Sequence, residues 1–191
     1  MVFKDVIVAL SGASGAGYGL EVLRGASSSL IGKAKLYLVY NDTSLKIMED
    51  ETGVSRDKLG ELASEAVHSS RMDHPLASGS NDFGVMIICP CSTSTAAKIH
   101  AGIADNLITR CAAVALKERR RLILVVRESP LSTPVLRSLY ELSSWGVVIM
   151  PASPPFYNLG TESIRDLQKG FAGRVLASAG IRDDLKVRYE P

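Results

Sequence analysis

The sequence predicts an α/β protein in which one parallel β-sheet is covered by helices on both faces. Three observations predict it. Five short runs are continuously apolar rather than alternating, which marks strands buried on both sides. Segments of helical period separate these runs, as successive βα units require. Most of the runs end in loops rich in Gly, Ser or Pro, at the edge where such sheets carry their ligands.

Residues 5–10 (DVIVAL) form the first strand and run into a glycine-rich turn, and residues 18–30 have helical spacing. Residues 34–40 (AKLYLVY) form the second strand, after which Asn41-Asp42-Thr43 supply a turn and an N-cap for a helix through about Glu51. Ser55 caps a helix from residue 56 to about 69. Residues 72–82 (MDHPLASGSND) read as an irregular loop. Residues 84–89 (GVMIIC) are the third strand, which meets the small polar stretch 90–95 at the start of a helix reaching His100. Asp105 is the expected cap of a helix over residues 106–119. Residues 121–126 (RLILVV) and 146–150 (GVVIM) are the fourth and fifth strands, with a helix over 132–144 between them. A proline-rich loop (151–157), a last helix (163–179) and a polar tail complete the chain. No internal repeat or linker interrupts it, so residues 1–191 read as one domain. The fold class is a three-layer sandwich, Rossmann-like with flavodoxin-like strand order.

Composition narrows the function. A hydrophobic fraction of 46% and a charged fraction of 22% belong to a globular protein. The 22 basic residues are offset by 20 acidic ones, which gives no reason to expect nucleic acid. The chain opens directly into a strand without the pattern of a signal peptide. Its apolar runs fall far short of the roughly 20 residues that span a bilayer, so no membrane role is expected. Three cysteines make no even disulfide framework, and reduced thiols in the cytoplasm are expected.

The turn SGASGAGYG (11–19) departs from the dinucleotide fingerprint and lacks the Lys-Ser/Thr of a P-loop. The second strand ends in Tyr40-Asn41, and Asp42 falls one step late for a ribose clamp, which favours a mononucleotide over NAD. A helix N-terminus with unpaired N–H groups attracts a phosphate; the alternative is that the glycines serve only close helix–strand packing. Ser92, Thr93, Ser94 and Thr95 place four hydroxyls at another helix start, where one would suffice as a cap. Cys89 and Cys91 lack the second pair or the histidine spacing of a zinc site, and no metal is expected. No partner marks a catalytic thiol, and the three histidines read as surface or core residues. Arg110, Lys117, Arg127 and Arg174 are cations on or near the ligand-facing segments, and Arg127-Glu128 follows a strand directly. The run of residues 117–121 also reads as a solvated helix end whose cations offset the macrodipole. Glu51 sits at a helix C-terminus, where an acid is unfavourable, which points to a functional role; the alternative is a solvated, exposed side chain.

Taken together, SGASGAGYGL (11–20), ASGS (77–80), CPCSTST (89–95), ADNLITR (104–110), ALKERRRLILVVRESP (115–130), VVIMPASPPFY (147–157) and GRVLASAGI (173–181) resemble the UbiX-type flavin prenyltransferases, formerly described as aromatic-acid decarboxylases. The matching stretches span essentially the whole chain in order. The resemblance implies FMN bound between protomers of a homo-oligomer, usually a dodecamer, and no metal. It implies transfer of a dimethylallyl group from dimethylallyl monophosphate to N5 and C6 of reduced FMN, giving prenylated FMN for a UbiD-type decarboxylase. By the same resemblance, Gly12, Ala13, Ser14, Ser92, Thr93, Ser94, Thr95 and Arg127 line the flavin nucleotide, and Arg110 falls on a family site arginine. Tyr157 and Arg174 match prenyl-phosphate ligands, helped by Lys117 and Arg127. Glu51 and Glu128, with Ser14, match groups near the reacting atoms. The chain departs from the family pattern at Tyr40-Asn41, where a serine usually contacts the FMN phosphate, at Met72, where an aromatic residue is common, and at Tyr189, where many members have Trp. The rival readings are an FMN-dependent cysteine decarboxylase, which would need a histidine base and a different 90–95 stretch, and a non-catalytic FMN carrier.

Overall fold

The computed structural model describes residues 4–156 and 163–181. The apolar runs become β1 (Asp5–Leu10), β2 (Leu36–Tyr40), β4 (Phe83–Cys91), β5 (Arg121–Val126) and β6 (Val148–Pro151), and a further short strand, β3 (Glu65–His68), lies between β2 and β4 in sequence. All pairings are parallel. The spatial order is β3-β2-β1-β4-β5-β6. The five expected strands thus keep the flavodoxin-like order, and β3 extends it at one edge to the six-stranded doubly wound arrangement.

The helices are α1 (Ala16–Leu30), α2 (Asp42–Thr52), α3 (Arg56–Gly60), α4 (Thr93–His100), α5 (Leu107–Lys117), α6 (Thr133–Ser144) and α7 (Ile164–Ser178). They divide between the two faces because strand side chains alternate. Val6, Val8 and Leu10 of β1 and Val85 and Ile87 of β4 pack with Leu20 and Leu23 of α1 and with Phe171 and Val175 of α7. Ile7, Ala9, Met86 and Ile88 point the other way, against Ile99 of α4, Leu107 to Ala115 of α5 and Leu139 of α6. Each fully buried aliphatic side chain contributes about 1.5–3 kcal/mol against chain entropy. No helix of the described residues is long and apolar enough to cross a membrane.

Two expectations need correction. The helix expected over 56–69 stops at Gly60, and the chain re-forms as β3, pairing Val67 with Val39. Asp105 is not the cap of α5: Asn106 is, accepting hydrogen bonds from the Ile108 and Thr109 amides at 3.0 and 3.2 Å. Asp105 instead meets Lys98 at 2.6 Å. The α1–α7 contact is closed by a buried carboxylate, Glu21, paired with Arg24 at 2.6 Å and with Arg165 of α7 at 3.2 Å.

Candidate functional site

Strands β1 and β4 are neighbours, yet α1 and α4 leave them for opposite faces of the sheet. Such a reversal opens a crevice at the carboxyl ends of the strands. Ser11, the first residue after β1, forms its floor. Its buried hydroxyl donates to Pro90 O at 3.1 Å and accepts from the Ser92 amide at 2.9 Å, while its own amide donates to Pro90 O at 3.4 Å. The sequence reading placed Ser11 in the turn but gave it no role; its position directly after an apolar strand was the available signal.

The two helix starts beside this crevice are built differently. At α1 the N-cap is Gly15, whose φ of 92° puts it in the left-handed region and leaves no side chain to cap the helix. The cap comes from Glu51 at the end of α2. Its Oε2 accepts from the Gly15 and Ala16 amides at 2.9 and 2.8 Å, and its Oε1 from Gly15 at 3.2 Å. A carboxylate there meets two of the free N–H groups and the positive end of the helix dipole. The amides first read as open to a phosphate are therefore engaged by the chain itself. Glycine also serves close packing here: a Cβ on Gly19 would lie 2.3 Å from Cys89 O. The close-packing reading holds at Gly19, while the amides of Gly15 and Ala16 are taken by Glu51.

At α4 the cap is conventional. Ser92 accepts from the Thr95 amide at 3.2 Å and donates to Thr95 Oγ1 at 2.9 Å. The Thr93 and Ser94 hydroxyls have no protein partner among the described residues. They remain donors at a positive helix end, the arrangement that suits an anion.

Arg127 joins the two junctions. Its Nε donates to Ser14 O at 3.0 Å and its amide to Cys91 O at 3.4 Å. Glu128 follows it, exposed, and accepts from the Ser129 amide at 3.0 Å. Gly12 and Ala13 complete the turn, with Gly12 packed against Thr43. Asn41, which stands where a phosphate-binding serine is usual, caps α2: its Oδ1 accepts from the Ser44 amide at 2.8 Å. The structure thus brings Gly12, Ala13, Ser14, Glu51, Ser92, Thr93, Ser94, Thr95, Arg127 and Glu128 to one edge of the sheet.

Other expected residues lie elsewhere. Arg110, in the first turns of α5, donates from Nε to Ala77 O at 2.8 Å. Lys117 is the last residue of α5 and pairs with Glu118. The seven-residue step between Arg110 and Lys117 spans about 10 Å along the helix axis. Because α5 runs back toward the start of β5, Lys117 lies toward the amino ends of the strands rather than at the ligand edge of its own sheet. Arg174 is exposed on α7, whose end is tied to the start of β5 by Arg121 Nη1 donating to Ser178 O at 2.8 Å. Tyr157 and Tyr189 lie outside the described residues. Met72 is exposed.

Burial pushes the thiols of Cys91 and Cys111 up to about 12 and that of Cys89 higher still, so all three stay protonated at neutral pH. His68, His74 and His100 face Asp42, Glu65 and Glu141 at 3.3, 3.1 and 2.8 Å. Among the described residues, no group of three or more His, Cys, Asp or Glu is arranged to hold a metal.

Comparison with known proteins fits this geometry. The model of the family described as Flavoprotein matches residues 2–173. A protein of Thermoplasma acidophilum named flavin prenyltransferase UbiX is 42% identical over 187 residues, covering 96% of this chain and 99% of the relative. The crystal structure of AnUbiX (PadA1) in complex with FMN and dimethylallyl pyrophosphate superimposes with a TM-score of 0.93 at 36% identity, covering 99% of this chain and 98% of that one. A dodecameric FMN-dependent UbiX-like decarboxylase of Escherichia coli O157:H7 gives a TM-score of 0.93 at 35% identity, covering 98% of this chain and 100% of that one. The peptidyl-cysteine decarboxylase EpiD is 14% identical with a TM-score of 0.61, a likeness of fold alone.

Proposed function

The chain belongs to the flavoprotein family as a flavin prenyltransferase of the UbiX type that binds FMN, and on that premise we propose that it joins a dimethylallyl group from dimethylallyl monophosphate to N5 and C6 of reduced FMN. The observation that carries this reading is the α4 start: two hydroxyls without a partner among the described residues, on a positive helix end, beside Arg127 and the Ser14 turn. An FMN phosphate fits there, because α1 already has its anion in Glu51.

Reduced FMN, when bound, supplies the two bond-forming atoms, N5 and C6. Ser92, Thr93, Ser94 and Thr95 hold the nucleotide phosphate, and Gly12, Ala13 and Ser14 line the flavin. The donor's C–O bond breaks with the electron pair leaving on phosphate, so the chain must stabilise that growing charge. Arg127, Lys117, Arg110, Arg174 and Tyr157 are the groups suited to it, because cations aimed at a leaving phosphate favour the transition state over the ground state. N5 gives up its proton as the first bond forms; the second bond uses the prenyl alkene, which takes up a proton so that C6 can attack the resulting cation, and the C6 proton then leaves. Glu128 and the departing phosphate are the groups whose chemistry suits these transfers. Glu51 anchors Ser14 through the amides that follow it.

Lys117 stands toward the opposite end of the sheet from the Ser14 turn, which supports a site completed by a second copy of the chain. A homo-oligomer, a dodecamer like that of the E. coli neighbour, satisfies this need. The recipient of the prenylated FMN is a UbiD-type decarboxylase. No observation favours the cysteine-decarboxylase reading, since none of the three histidines is held at the crevice. The test is to incubate the protein with reduced FMN and dimethylallyl monophosphate and weigh the bound flavin. A gain of one dimethylallyl unit is expected. An unchanged FMN mass would leave the protein as a carrier.

A further inference from the structure

The end of α5 is built in an unusual way. Successive residues on a helix diverge, so Lys117 and Glu118 face each other only if the helix stops between them. It does. Glu118 is the C-cap, Arg119 adopts a φ of 53°, and the Arg120 amide returns to Ala115 O at 2.8 Å. This is a glycine-type helix ending made without glycine, and Arg119 is the one described non-glycine residue with positive φ. Unusual backbone of this kind tends to collect at working sites.

The ending folds Glu118 back on Lys117, and both lie against the loop of residues 77–80. Arg120 Nη2 donates to Gly79 O at 2.7 Å and Arg110 Nε to Ala77 O at 2.8 Å, which fixes that loop to α5. A Cβ on Gly79 would lie 2.4 Å from both Lys117 Nζ and Glu118 Oε1, so the bare Gly79 backbone leaves the space that the ends of these two side chains occupy. A carboxylate at a helix C-terminus opposes the dipole. Its negative charge is offset by Lys117, which holds its carboxyl below the ordinary range through their hydrogen bond, and more weakly by Arg120.

We propose that Glu118 is a positioning residue that holds the Lys117 ammonium beside Gly79 and yields it to the phosphate of the prenyl donor. The inference rests on the reading of Lys117 as a phosphate cation. Both partners are substantially exposed, 52% and 37%, so the pair is weak enough to exchange. A phosphate dianion outcompetes a carboxylate for the ammonium, and Glu118 recaptures Lys117 when inorganic phosphate leaves. Glu118 thereby lowers affinity for both donor and product.

The experiment uses the FMN-loaded oligomer and titrates inorganic phosphate by calorimetry, alongside steady-state prenylation with dimethylallyl monophosphate. Glu118→Gln should bind phosphate about threefold to fivefold more tightly, with KM for the donor falling by a similar factor and FMN content unchanged. A damaged fold does not produce tighter anion binding. Equal or weaker phosphate binding by Glu118→Gln overturns the inference. Lys117→Ala separates the two readings. If it binds phosphate like the parent, the role of Lys117 fails and this inference with it; if it binds more weakly while Glu118→Gln gains nothing, only the present inference falls.

Discussion

The starts of α1 and α4 face one crevice from opposite sides of the sheet, and each follows a buried strand. At α1 the chain supplies its own anion: Glu51 reaches from the end of α2 to the Gly15 and Ala16 amides. At α4 a single serine caps the helix, and the next two hydroxyls have no partner among the described residues. The positive end of a helix is an anion site in both cases. What separates them is that a carboxylate from elsewhere in the fold fills the first, while none among the described residues fills the second. The glycine-rich turn, the more conspicuous motif in the sequence, shapes the crevice. The plainer run of Ser and Thr is the one that offers hydrogen bonds.

Substitutions at three places test that contrast. Gly19→Ala strikes what the two sides share, because its methyl would meet Cys89 O at 2.3 Å and Leu10 at 2.9 Å. Pushing α1 off β4 should lower unfolding free energy by about 3 kcal/mol or more, read from urea denaturation. A variant of parental stability would mean that α1 shifts at little cost. Thr93→Val combined with Ser94→Ala removes the open hydroxyls at α4. FMN should bind roughly tenfold more weakly while the urea midpoint stays put, since two hydrogen bonds are lost and no cap is touched. Unaltered FMN affinity would place the phosphate elsewhere. Glu51→Ala removes the cap at α1 and should cost about 1 kcal/mol of stability, a modest figure because the carboxylate is exposed. Glu51→Gln, which keeps an acceptor but no charge, should lie between the two. If neither changes the unfolding midpoint, the α1 start is not held by Glu51.

Much of this was legible in the sequence, for reasons that can be named. Continuous apolar runs located five strands, since burial on both faces leaves no polar alternation to misread. Strand β3 escaped because Leu59, Leu62, Ala63, Ala66 and Val67 recur with helical spacing. Gly60, inside that pattern, was the contrary sign, and β3 has only Val67 fully buried. Glu51 drew notice as an acid at the wrong end of α2; the fold explains it, because it serves the right end of α1 instead. That pairing spans 35 residues and two βα units, beyond the reach of local pattern. Arg127 was legible from its place after a strand, while the position of Lys117 toward the far edge of the sheet depended on the direction of α5. Glu118 read as part of a solvated helix end, and only the fold showed it turned back on Lys117 beside Gly79.

The two outermost strands, β3 and β6, are four residues each, and β6 ends in Pro151, which has no N–H to donate. Short, interrupted edges are poor templates for adding another chain's strand. A contact between copies through these edges is therefore disfavoured, which leaves the helical faces for it. On α6, Leu136 and Tyr140 stand one turn apart and are 51% and 74% exposed, an apolar pair available to such a contact. Helix-mediated contacts can close on themselves, whereas strand addition continues without limit. The brevity of the edges thus makes this sheet a poor template for fibres built by strand addition.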